Sequence, residues 1–192
     1  MKKIILLCFV LFVNIIYAQI TVIPDPVFKQ ALLEHGSNTG VEIDTNFDGE
    51  IQISEAEAVT GFLYVNGYMD IQDLTGIEAF INITGLNVYL NQLTTLDLSS
   101  NTLLQFLDCS SNLLTSLNIS QCSLLEDLDC SLNDLIDIDL SNNLMLKHVN
   151  CDYNEINTLN ILQNQNLETL RCSYNEITDL NVSQNSNLKE LL

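Results

Sequence analysis

The chain has 192 residues, a length that suits a single domain with its own hydrophobic core. It contains 25 acidic against 6 basic residues, which gives a formal net charge of −19 at pH 7. Because such a surface repels phosphate groups and anionic lipids, the composition excludes nucleic-acid binding and peripheral membrane binding, and it favours cations or basic partners.

Residues 1–18 predict a secretory signal peptide. Two lysines precede an almost wholly apolar run at positions 4–16, and Ala18 is a small residue suited to cleavage. A lipid anchor on Cys8 is disfavoured, because Leu7 stands where a small residue is expected and Cys8 lies inside the run. No other long apolar run follows, so we expect a secreted or cell-surface protein with no membrane insertion after cleavage.

Residues 19–61 predict a small helical region, which begins with a helix at Asp25. Asp25 suits the N-cap and Pro26 suits the first helical position, and an apolar stripe follows them. Gly36 is expected to stop the helix. His35, in the last turn, is expected to interact favourably with the helix dipole rather than to act as a catalytic or metal-binding residue.

Residues 44–55, DTNFDGEIQISE, fit the pattern D-x-[DN]-x-[DN]-G-x₅-E at every specified position. The stretch resembles EF-hand and dockerin-type calcium loops, in which oxygen atoms surround the ion. The predicted Ca²⁺ ligands are Asp44, Asn46, Asp48, the backbone carbonyl of Glu50, Gln52 directly or through water, and a bidentate Glu55. Gly49 permits the sharp turn, Ile51 is expected to anchor the loop to the core, and an exit helix is predicted over about 54–59.

The residues before this loop predict no entering helix, and the loop has no paired partner. We therefore expect calcium to have a structural role outside the cell rather than a sensor role, with an affinity on the order of 10⁻⁴ to 10⁻³ M. The alternative is an acidic turn in an acidic chain.

A 21-residue repeat begins at Ile83. The repeated polar and sulfur-containing positions are Asn91, Asn112, Asn133, Asn154 and Asn175, and Cys109, Cys130, Cys151 and Cys172. The unit resembles the leucine-rich repeat, L-x-x-L-x-L-x-x-N-x-L, and residues 71–93 resemble its internalin-type variant. The chain as a whole thus resembles secreted bacterial, internalin-like surface proteins.

The resemblance implies an α/β repeat solenoid. We expect a leucine-rich-repeat arc with a short parallel sheet on its concave face, preceded by a small helical, calcium-binding N-terminal cap over residues 19–61. The repeats would occupy residues 62–192: an irregular first repeat, five regular repeats from Ile83, and a sixth that is cut off at Leu192.

The repeated asparagines are predicted to bond backbone groups where the chain turns inward after each strand. Substitution of Asn133 by Leu should therefore destabilise the protein far more than substitution of an outward residue such as Ser131. The cysteine column is predicted to pack in the core. Its alternatives are a disulfide between neighbouring coils, or a metal strip. Cys122 replaces the Asn found at positions 101, 143, 164 and 185 and is predicted to be structural.

Outward positions on the strands predict a partner-binding concave face. One outward column is Tyr89, Ser110, Ser131, Asp152 and Ser173, and another is Leu90, Ser111, Leu132, Tyr153 and Tyr174. The candidate partner-binding residues are His148, Tyr153, Arg171 and Tyr174, since exposed Tyr and Arg are common interface anchors. The alternative is that these are ordinary solvent-facing residues.

These observations predict a monomeric, non-catalytic module that binds or adheres to a protein or glycan. An enzyme is disfavoured because the chain has two histidines and no G-x-S-x-G element, and because Cys172 should point inward while His148 points outward. The alternative is that the chain is the binding region of a longer secreted enzyme or sorted surface protein, whose further domains follow Leu192.

Overall fold

The computed structural model describes residues 19–67 and 70–192, so the predicted signal peptide at 1–18 lies outside the described residues. Three helices come first in the chain: α1 (Pro26–Leu33), α2 (His35–Thr39) and α3 (Ile53–Ala58). Seven strands follow: β1 (Gly61–Tyr64), β2 (Ile83–Asn87), β3 (Phe106–Asp108), β4 (Asp127–Asp129), β5 (His148–Asn150), β6 (Thr169–Arg171) and β7 (Glu190–Leu191). A 3₁₀ turn at Ile77–Ala79 lies between β1 and β2.

The start of α1 follows the prediction. The Oδ1 atom of Asp25 accepts hydrogen bonds from the backbone N–H groups of Val27 and Phe28, and Pro26 is the first helical residue. The Oδ2 atom of Asp25 accepts from the N–H groups of Gln72 and Asp73, at 2.8 and 3.1 Å. One carboxylate therefore caps the helix and ties it to the first coil of the repeats.

The prediction that Gly36 stops the first helix is wrong, because α1 already ends at Leu33. Gly36 lies inside α2, and the chain leaves this helix at Gly40, whose left-handed φ of 80° suits glycine. His35 is the first residue of α2 rather than part of the last turn of the first helix, and it is only 1% exposed. Its Nδ1 atom lies 3.0 Å from the Val41 carbonyl, and its Nε2 atom accepts the N–H of Tyr64 in β1. This buried imidazole joins the helical region to the sheet.

The seven strands form one parallel sheet in sequence order, β1 to β7. From β2 onward the strands pair in register at 21-residue intervals, for example Leu107 with Leu128 and Leu128 with Val149. β1 pairs with β2 through a register shift between Gly61 and Phe62, as expected of an irregular first repeat. No helix occurs in residues 83–192, because the return segments are too short to form one. The predicted leucine-rich-repeat solenoid is therefore confirmed.

Each coil buries the same apolar positions. Each strand from β1 to β6 points one large apolar residue into the core, and each of these is at most 3% exposed: Leu63, Leu86, Leu107, Leu128, Val149 and Leu170. The cysteine-column residues that follow β3, β4 and β5 are equally buried. A fully buried Leu, Ile or Val side chain stabilises the fold by about 1.5–3 kcal/mol, but only when a neighbouring coil covers it. β3 ends at Asp108, so Cys109 lies just beyond the strand, although the Leu107-Asp108-Cys109 alternation predicts that it is the last strand residue.

The asparagines after the strands form what we call the strand-side ladder: Asn91, Asn112, Asn133, Asn154 and Asn175. The Nδ2 group of Asn133 donates to the carbonyls of Cys109 and Cys130, and its Oδ1 accepts the N–H of Leu114. The predicted pairing of these side chains with buried backbone groups is confirmed. Ser131, however, is not an outward residue as predicted, since it is 7% exposed and its hydroxyl donates to Asp129.

A second series of asparagines, the return-side ladder, lies on the opposite side of the coils: Asn101, Asn143, Asn164 and Asn185. The Nδ2 group of Asn143 donates to the carbonyls of Ile119 and Cys122, at 3.0 and 2.9 Å. The Oδ1 atoms of these four asparagines are buried and have no hydrogen-bond partner in the described part of the chain. Cys122 occupies the same position in its coil, with Sγ 3.9 Å from the carbonyls of Leu98 and Asn101.

The prediction that the cysteines pack in the core is confirmed for Cys109, Cys122, Cys130 and Cys151, which are buried free thiols. Cys172 is a free thiol that is only partly buried. Burial raises the pKa of Cys122 to about 11 and that of Cys151 to about 12. The thiol of Cys151 lies 3.3 Å from the Arg171 carbonyl of the next coil, which suits an S–H donor.

Candidate functional site

The outward side chains of the sheet lie in two columns, which together we call the sheet face. The first column is Phe62, Gly85, Phe106, Asp127, His148 and Thr169, and the second is Tyr64, Asn87, Asp108, Asp129, Asn150 and Arg171. Neighbours within a column belong to adjacent parallel strands, so their backbones are about 4.8 Å apart. The face is therefore a continuous surface on which side chains from successive coils contact each other.

Three aromatic residues lie at the N-terminal end of the sheet face. The ring of Phe62 stacks on that of Tyr64, with centroids 5.6 Å apart, and lies 5.3 Å from that of Phe106. Gly85 stands between Phe62 and Phe106 in the register, and a Cβ atom there would come within 2.5 Å of the Phe62 ring. We call Phe62, Tyr64 and Phe106 the aromatic cluster. Phe62 and Tyr64 are each 42% exposed.

Sequence reasoning missed this cluster because the first coil departs from the 21-residue spacing. A usable signal was present in Phe62-Leu63-Tyr64, which has the same outward–inward–outward pattern as Phe106-Leu107-Asp108. Placing Leu63 in the column of Leu107 would have brought both aromatic side chains of β1 onto the sheet face.

Carboxylates occupy the middle of the sheet face. The Oδ1 atom of Asp108 accepts hydrogen bonds from the N–H and hydroxyl of Ser110, and Asp129 makes the same pair of bonds with Ser131. Burial raises the pKa of Asp108, and the charge of Asp129 on the next strand raises it further, against the lowering effect of the Ser110 bonds. Asp127 differs, since its one ion pair is with Nε2 of His148 at 4.0 Å. The middle of the face therefore concentrates negative charge.

At the C-terminal end, the structure brings Tyr153 and Tyr174 together. Their rings stack with centroids 4.2 Å apart and planes 9° apart, and both side chains are exposed. Both residues lie beyond the ends of their strands rather than on them, at left-handed φ values of 56° and 55°. Leu90, Ser111 and Leu132 have the same left-handed conformation, so this predicted outward column is in fact a column of turn residues.

The other two candidate residues lie on the sheet itself. His148 is exposed in the first column, and Arg171 is exposed in the second, where its Nε donates to Oδ2 of Asp152 at 3.2 Å. Asp152, Ser110 and Ser131 are each only 6–7% exposed. Three of the five residues in the column that begins at Tyr89 are therefore buried, although the sequence predicts that they point outward. His148 and Arg171 both line a shallow groove that also includes Phe106, Asp127 and Asp129.

The 44–55 loop is held by hydrogen bonds among its own groups. The carboxylate of Asp44 accepts from the N–H groups of Asp48 and Gly49, and Asp48 accepts from the N–H of Glu50. Oε1 of Glu55 accepts from both the N–H and the hydroxyl of Thr45, and α3 follows at the predicted exit helix. Asn46 and Gln52 bond to each other through Nδ2 and Oε1, at 3.0 Å.

Hydrogen bonds also set the ionisation of two of these carboxylates. The Glu50 N–H lowers the pKa of Asp48. Burial opposes the ionisation of Glu55, but bonds from Gln52 and Thr45 outweigh it and lower its pKa. Both groups are therefore anionic at neutral pH. In residues 19–67 and 70–192, no three His, Cys, Asp or Glu side chains are gathered as a metal centre requires.

The donor chemistry of the loop nevertheless suits calcium. An ionised carboxylate has about four acceptor positions, and Asp44 uses two of them for backbone N–H groups. The side chain of Glu50 pairs with Lys29 at 2.8 Å, and the predicted ligand from this residue is its backbone carbonyl rather than that side chain. Ile51 is 1% exposed, and its carbonyl accepts the Thr21 N–H, so the loop is anchored to the core as predicted. The calcium site stays a prediction.

No protein-family profile matches the chain, and a search of curated proteins finds no significant match. Solved structures do match. The functional domain of InlJ from Listeria monocytogenes, which includes a cysteine ladder, is 29% identical with a TM-score of 0.51, over 74% of this chain and 41% of that one. The internalin InlF from Listeria monocytogenes is 20% identical with a TM-score of 0.66, over 88% of this chain and 56% of that one.

A leucine-rich-repeat protein from Leptospira interrogans is 26% identical with a TM-score of 0.57, over 60% of this chain and 32% of that one. The chain thus spans less than two-thirds of the length of each of these three proteins. The likenesses agree with the parallel solenoid described above and support an internalin-like leucine-rich-repeat protein. No helix in the described residues is long and apolar enough to cross a membrane.

Proposed function

We propose that this chain is a secreted or cell-surface, non-catalytic leucine-rich-repeat module that binds a protein through its sheet face and the turn residues that follow the strands. The observation that carries this proposal is the exposed, stacked pair of Tyr153 and Tyr174 in the turns that follow β5 and β6, the strands that hold the exposed side chains of His148 and Arg171. Aromatic side chains and Arg are enriched among interface residues that dominate binding energy. The signal peptide predicted over residues 1–18, together with the likeness to internalins, is the basis for proposing a secreted or surface location.

The chemistry of the thiols supports a non-catalytic role. A nucleophilic cysteine needs a lowered pKa, which an adjacent cation or base provides. Burial and the charge of Asp152 instead raise the pKa of Cys172, the most accessible cysteine among the described residues. This thiol therefore stays protonated at neutral pH.

The protein-binding proposal is tested by affinity capture from extracts of cell-surface proteins, with quantitative mass spectrometry of what is retained. We expect the double variant Tyr153→Ala, Tyr174→Ala to retain at least about tenfold less of the specific partner, because truncation of interface anchors costs 2 kcal/mol or more. The matched control is Leu113→Ala with Ile136→Ala, which removes two exposed apolar side chains away from the face. Equal retention by both double variants would contradict the proposal.

We further propose that calcium stabilises the N-terminal region through the 44–55 loop. The predicted ligands are those of the sequence pattern, and the anionic state of Asp48 and Glu55 supports it. A bound ion would fix this loop against α3 and against residues 19–21, which pair with residues 51–53. The chain would then have a rigid end on which the first coil packs.

The calcium proposal is tested by thermal melts with added calcium and with a chelator. A site occupied at a hundredfold excess over Kd should add about 2.7 kcal/mol to the free energy of unfolding. Asp48→Asn should remove most of this difference, whereas Asp134→Asn makes the same charge change in the repeats and should leave it intact. Superimposable melts of the unmodified protein in the two buffers would refute the site.

A further inference from the structure

The aromatic cluster is an exposed apolar part of the sheet face, separate from the two tyrosines that carry the proposed function. Phe62 and Tyr64 stay 42% exposed although their rings stack, and Phe106 extends the same surface onto β3. The absence of a side chain at Gly85 allows Phe62 to lie flat across β2. Aromatic side chains held by their neighbours lose little rotamer freedom on binding, which makes the cluster a preformed anchor site.

Negative charge lies directly beside this cluster. Asp127 on β4 is the register neighbour of Phe106, and Asp129 is that of Asp108. Phe106, Asp127 and Asp129 line one groove on the sheet face. An apolar surface and a carboxylate therefore lie about one strand spacing apart, close to 4.8 Å.

The cations of the protein do not neutralise this charge. Each Lys and Arg of the described residues already pairs with another carboxylate: Lys29 with Glu50, Lys147 with Glu126, Arg171 with Asp152 and Lys189 with Glu168. Asp127 lies 4.0 Å from Nε2 of His148, and the charge of Lys147 also acts on it, but the ammonium group of Lys147 is held at 2.6 Å by Glu126. Burial is the main cause of the raised pKa of Asp108, and the charge of Asp129 on the next strand adds to it. A cation from another molecule would relieve this repulsion.

We propose that the aromatic cluster and Asp127 together bind a segment of a partner protein that presents an apolar or aromatic side chain next to a Lys or Arg. The apolar side chain would pack on Phe62, Tyr64 and Phe106, and the cation would meet Asp127 at the edge of the Phe106 ring. This inference rests on the proposed protein-binding function and gives the chemistry of the partner.

Charge complementarity decides between occupants of this surface. A second copy of the chain would bring a formal charge of −19 and the same carboxylates to the same place, so repulsion disfavours self-association here. An anionic membrane is disfavoured for the same reason. A basic protein segment gains attraction from the whole surface and specificity from the aromatic anchor.

Three short fluorescein-labelled peptides test the inference, with fluorescence anisotropy as the measurement. The first peptide repeats Trp-Lys-Gly, the second Trp-Glu-Gly and the third Ser-Lys-Gly. We expect the first to bind at least about tenfold more tightly than either control, since only it offers both chemistries. If the third binds as tightly as the first, non-specific attraction to an acidic protein explains the binding and the inference fails. Failure of all three to bind also overturns it.

Two variants locate the binding site with little risk to folding. Phe106→Thr with Tyr64→Asn places on the sheet face residues that the same columns already hold at Thr169 and Asn87. This double variant should weaken binding of the first peptide about tenfold. Asp127→Asn should weaken it several-fold at low salt and less at high salt, whereas Asp137→Asn makes an equal charge change off the face. Unchanged binding in both site variants would overturn the inference.

The peptide result and the capture result are independent. Suppose that the Tyr153→Ala, Tyr174→Ala variant loses a captured partner but all three peptides bind equally. This result would support the proposed function and reject the aromatic cluster as the binding anchor. Peptide binding that depends on Phe106 but not on the two tyrosines would place the anchor at the N-terminal end of the face. Each outcome therefore assigns failure to one proposal.

Discussion

The two asparagine ladders look alike in sequence but differ in what depends on them. In the strand-side ladder, the carbonyl of Cys109 accepts from the side chains of Asn112 and Asn133, and no backbone N–H in the described residues bonds to it. In the return-side ladder, the carbonyls that Asn143 bonds already accept backbone N–H groups, from Cys122 and Leu125. Strand-side asparagines are therefore essential partners, and return-side ones are supplementary.

The acceptor ends of the side chains differ in the same way in the regular coils; Asn91, beside the irregular first coil, is the exception, since its Oδ1 is buried without a partner in the described residues. Oδ1 of Asn133 satisfies the buried N–H of Leu114, whereas Oδ1 of Asn143 is buried without a partner in the described chain. A polar atom buried without a hydrogen bond costs about 1–3 kcal/mol, which offsets part of what the Nδ2 bonds contribute. This difference explains why one coil can hold Cys122 at a return-side position, while every regular coil retains Asn on the strand side.

The largest expected effect follows from Asn133→Leu. The substitution leaves the buried Leu114 N–H unpaired and removes a donor from the carbonyls of Cys109, Cys130 and Ser131, so we expect a loss of about 3–4 kcal/mol in the free energy of unfolding. Urea denaturation measures it. The control is Leu132→Ser, which is exposed, lies next in sequence and has Ser111 as its counterpart in another coil. A loss below about 1 kcal/mol would show that the strand-side ladder is as dispensable as the return-side one.

A second prediction compares the uncharged asparagine side chains of the ladders with the carboxylate of Asp25, which joins α1 to the first coil. In Asp25→Asn, an amide can still cap α1, but its NH₂ group would face the N–H donors of Gln72 and Asp73. Charge-assisted bonds of this kind contribute about 1.5–3 kcal/mol, so we expect a loss of about 2 kcal/mol at neutral pH. Asp134→Asn, an equal charge change at an exposed site, should cost less than about 0.5 kcal/mol.

The pH dependence of this loss has a defined sign. Burial opposes the ionisation of Asp25, but four backbone N–H donors outweigh it and hold its pKa below the ordinary value of 3.8. A lowered folded-state pKa means that the contribution is complete above about 3.8 and is lost as pH falls through the folded value. The stability gap between Asp25→Asn and the unmodified protein should therefore narrow in acid. The loss in Asn133→Leu should not change, because amides do not titrate.

The third prediction concerns Asn143→Ala. Both carbonyls released by this change keep a backbone partner, and an unpaired Oδ1 atom disappears with the side chain. We expect a loss of about 1 kcal/mol, from two hydrogen bonds and a small cavity. Chemical denaturation of this variant beside Asn133→Leu compares the ladders directly. Equal losses in the two variants would remove the distinction between them.

The sequence predicts the fold well where spacing is regular. Leu107, Cys109 and Asn112 recur every 21 residues, and their shared periodicity is what places them inside each coil. It fails where a local residue preference competes with tertiary contacts. Gly36 looks like a helix stop, yet the helical region continues to Gly40, because the neighbouring His35 is buried and bonds Val41 and Tyr64. A pattern that recurs every 21 residues predicts contacts between coils, whereas a single glycine indicates only a local backbone preference.

The sheet face was only partly predictable for a related reason. The sequence places His148 and Arg171 on strands, but it cannot show that Tyr153 follows a three-residue strand in a left-handed turn, since the Leu-x-Cys alternation continues past the strand end. Asp152 also alternates as an outward residue, yet its bonds to Arg171 and Ser173 draw it below the surface. Side-chain bonds between coils, rather than alternation, decide which outward positions are accessible.

The smallest expected effect tests whether the return-side ladder can be completed. In Cys122→Asn, an Nδ2 group would reach the carbonyls of Leu98 and Asn101, which Sγ approaches at 3.9 Å. These bonds would be supplementary, and the Asn side chain would also bring another unpaired Oδ1 atom. We therefore expect the free energy of unfolding to rise by only about 0.5 kcal/mol. Cys122→Ala, which loses buried volume without a new bond, should instead cost about 1 kcal/mol. If Cys122→Asn is the less stable of the two variants, the unpaired oxygen outweighs both donor bonds, and the intact return-side asparagines are retained for a reason other than stability.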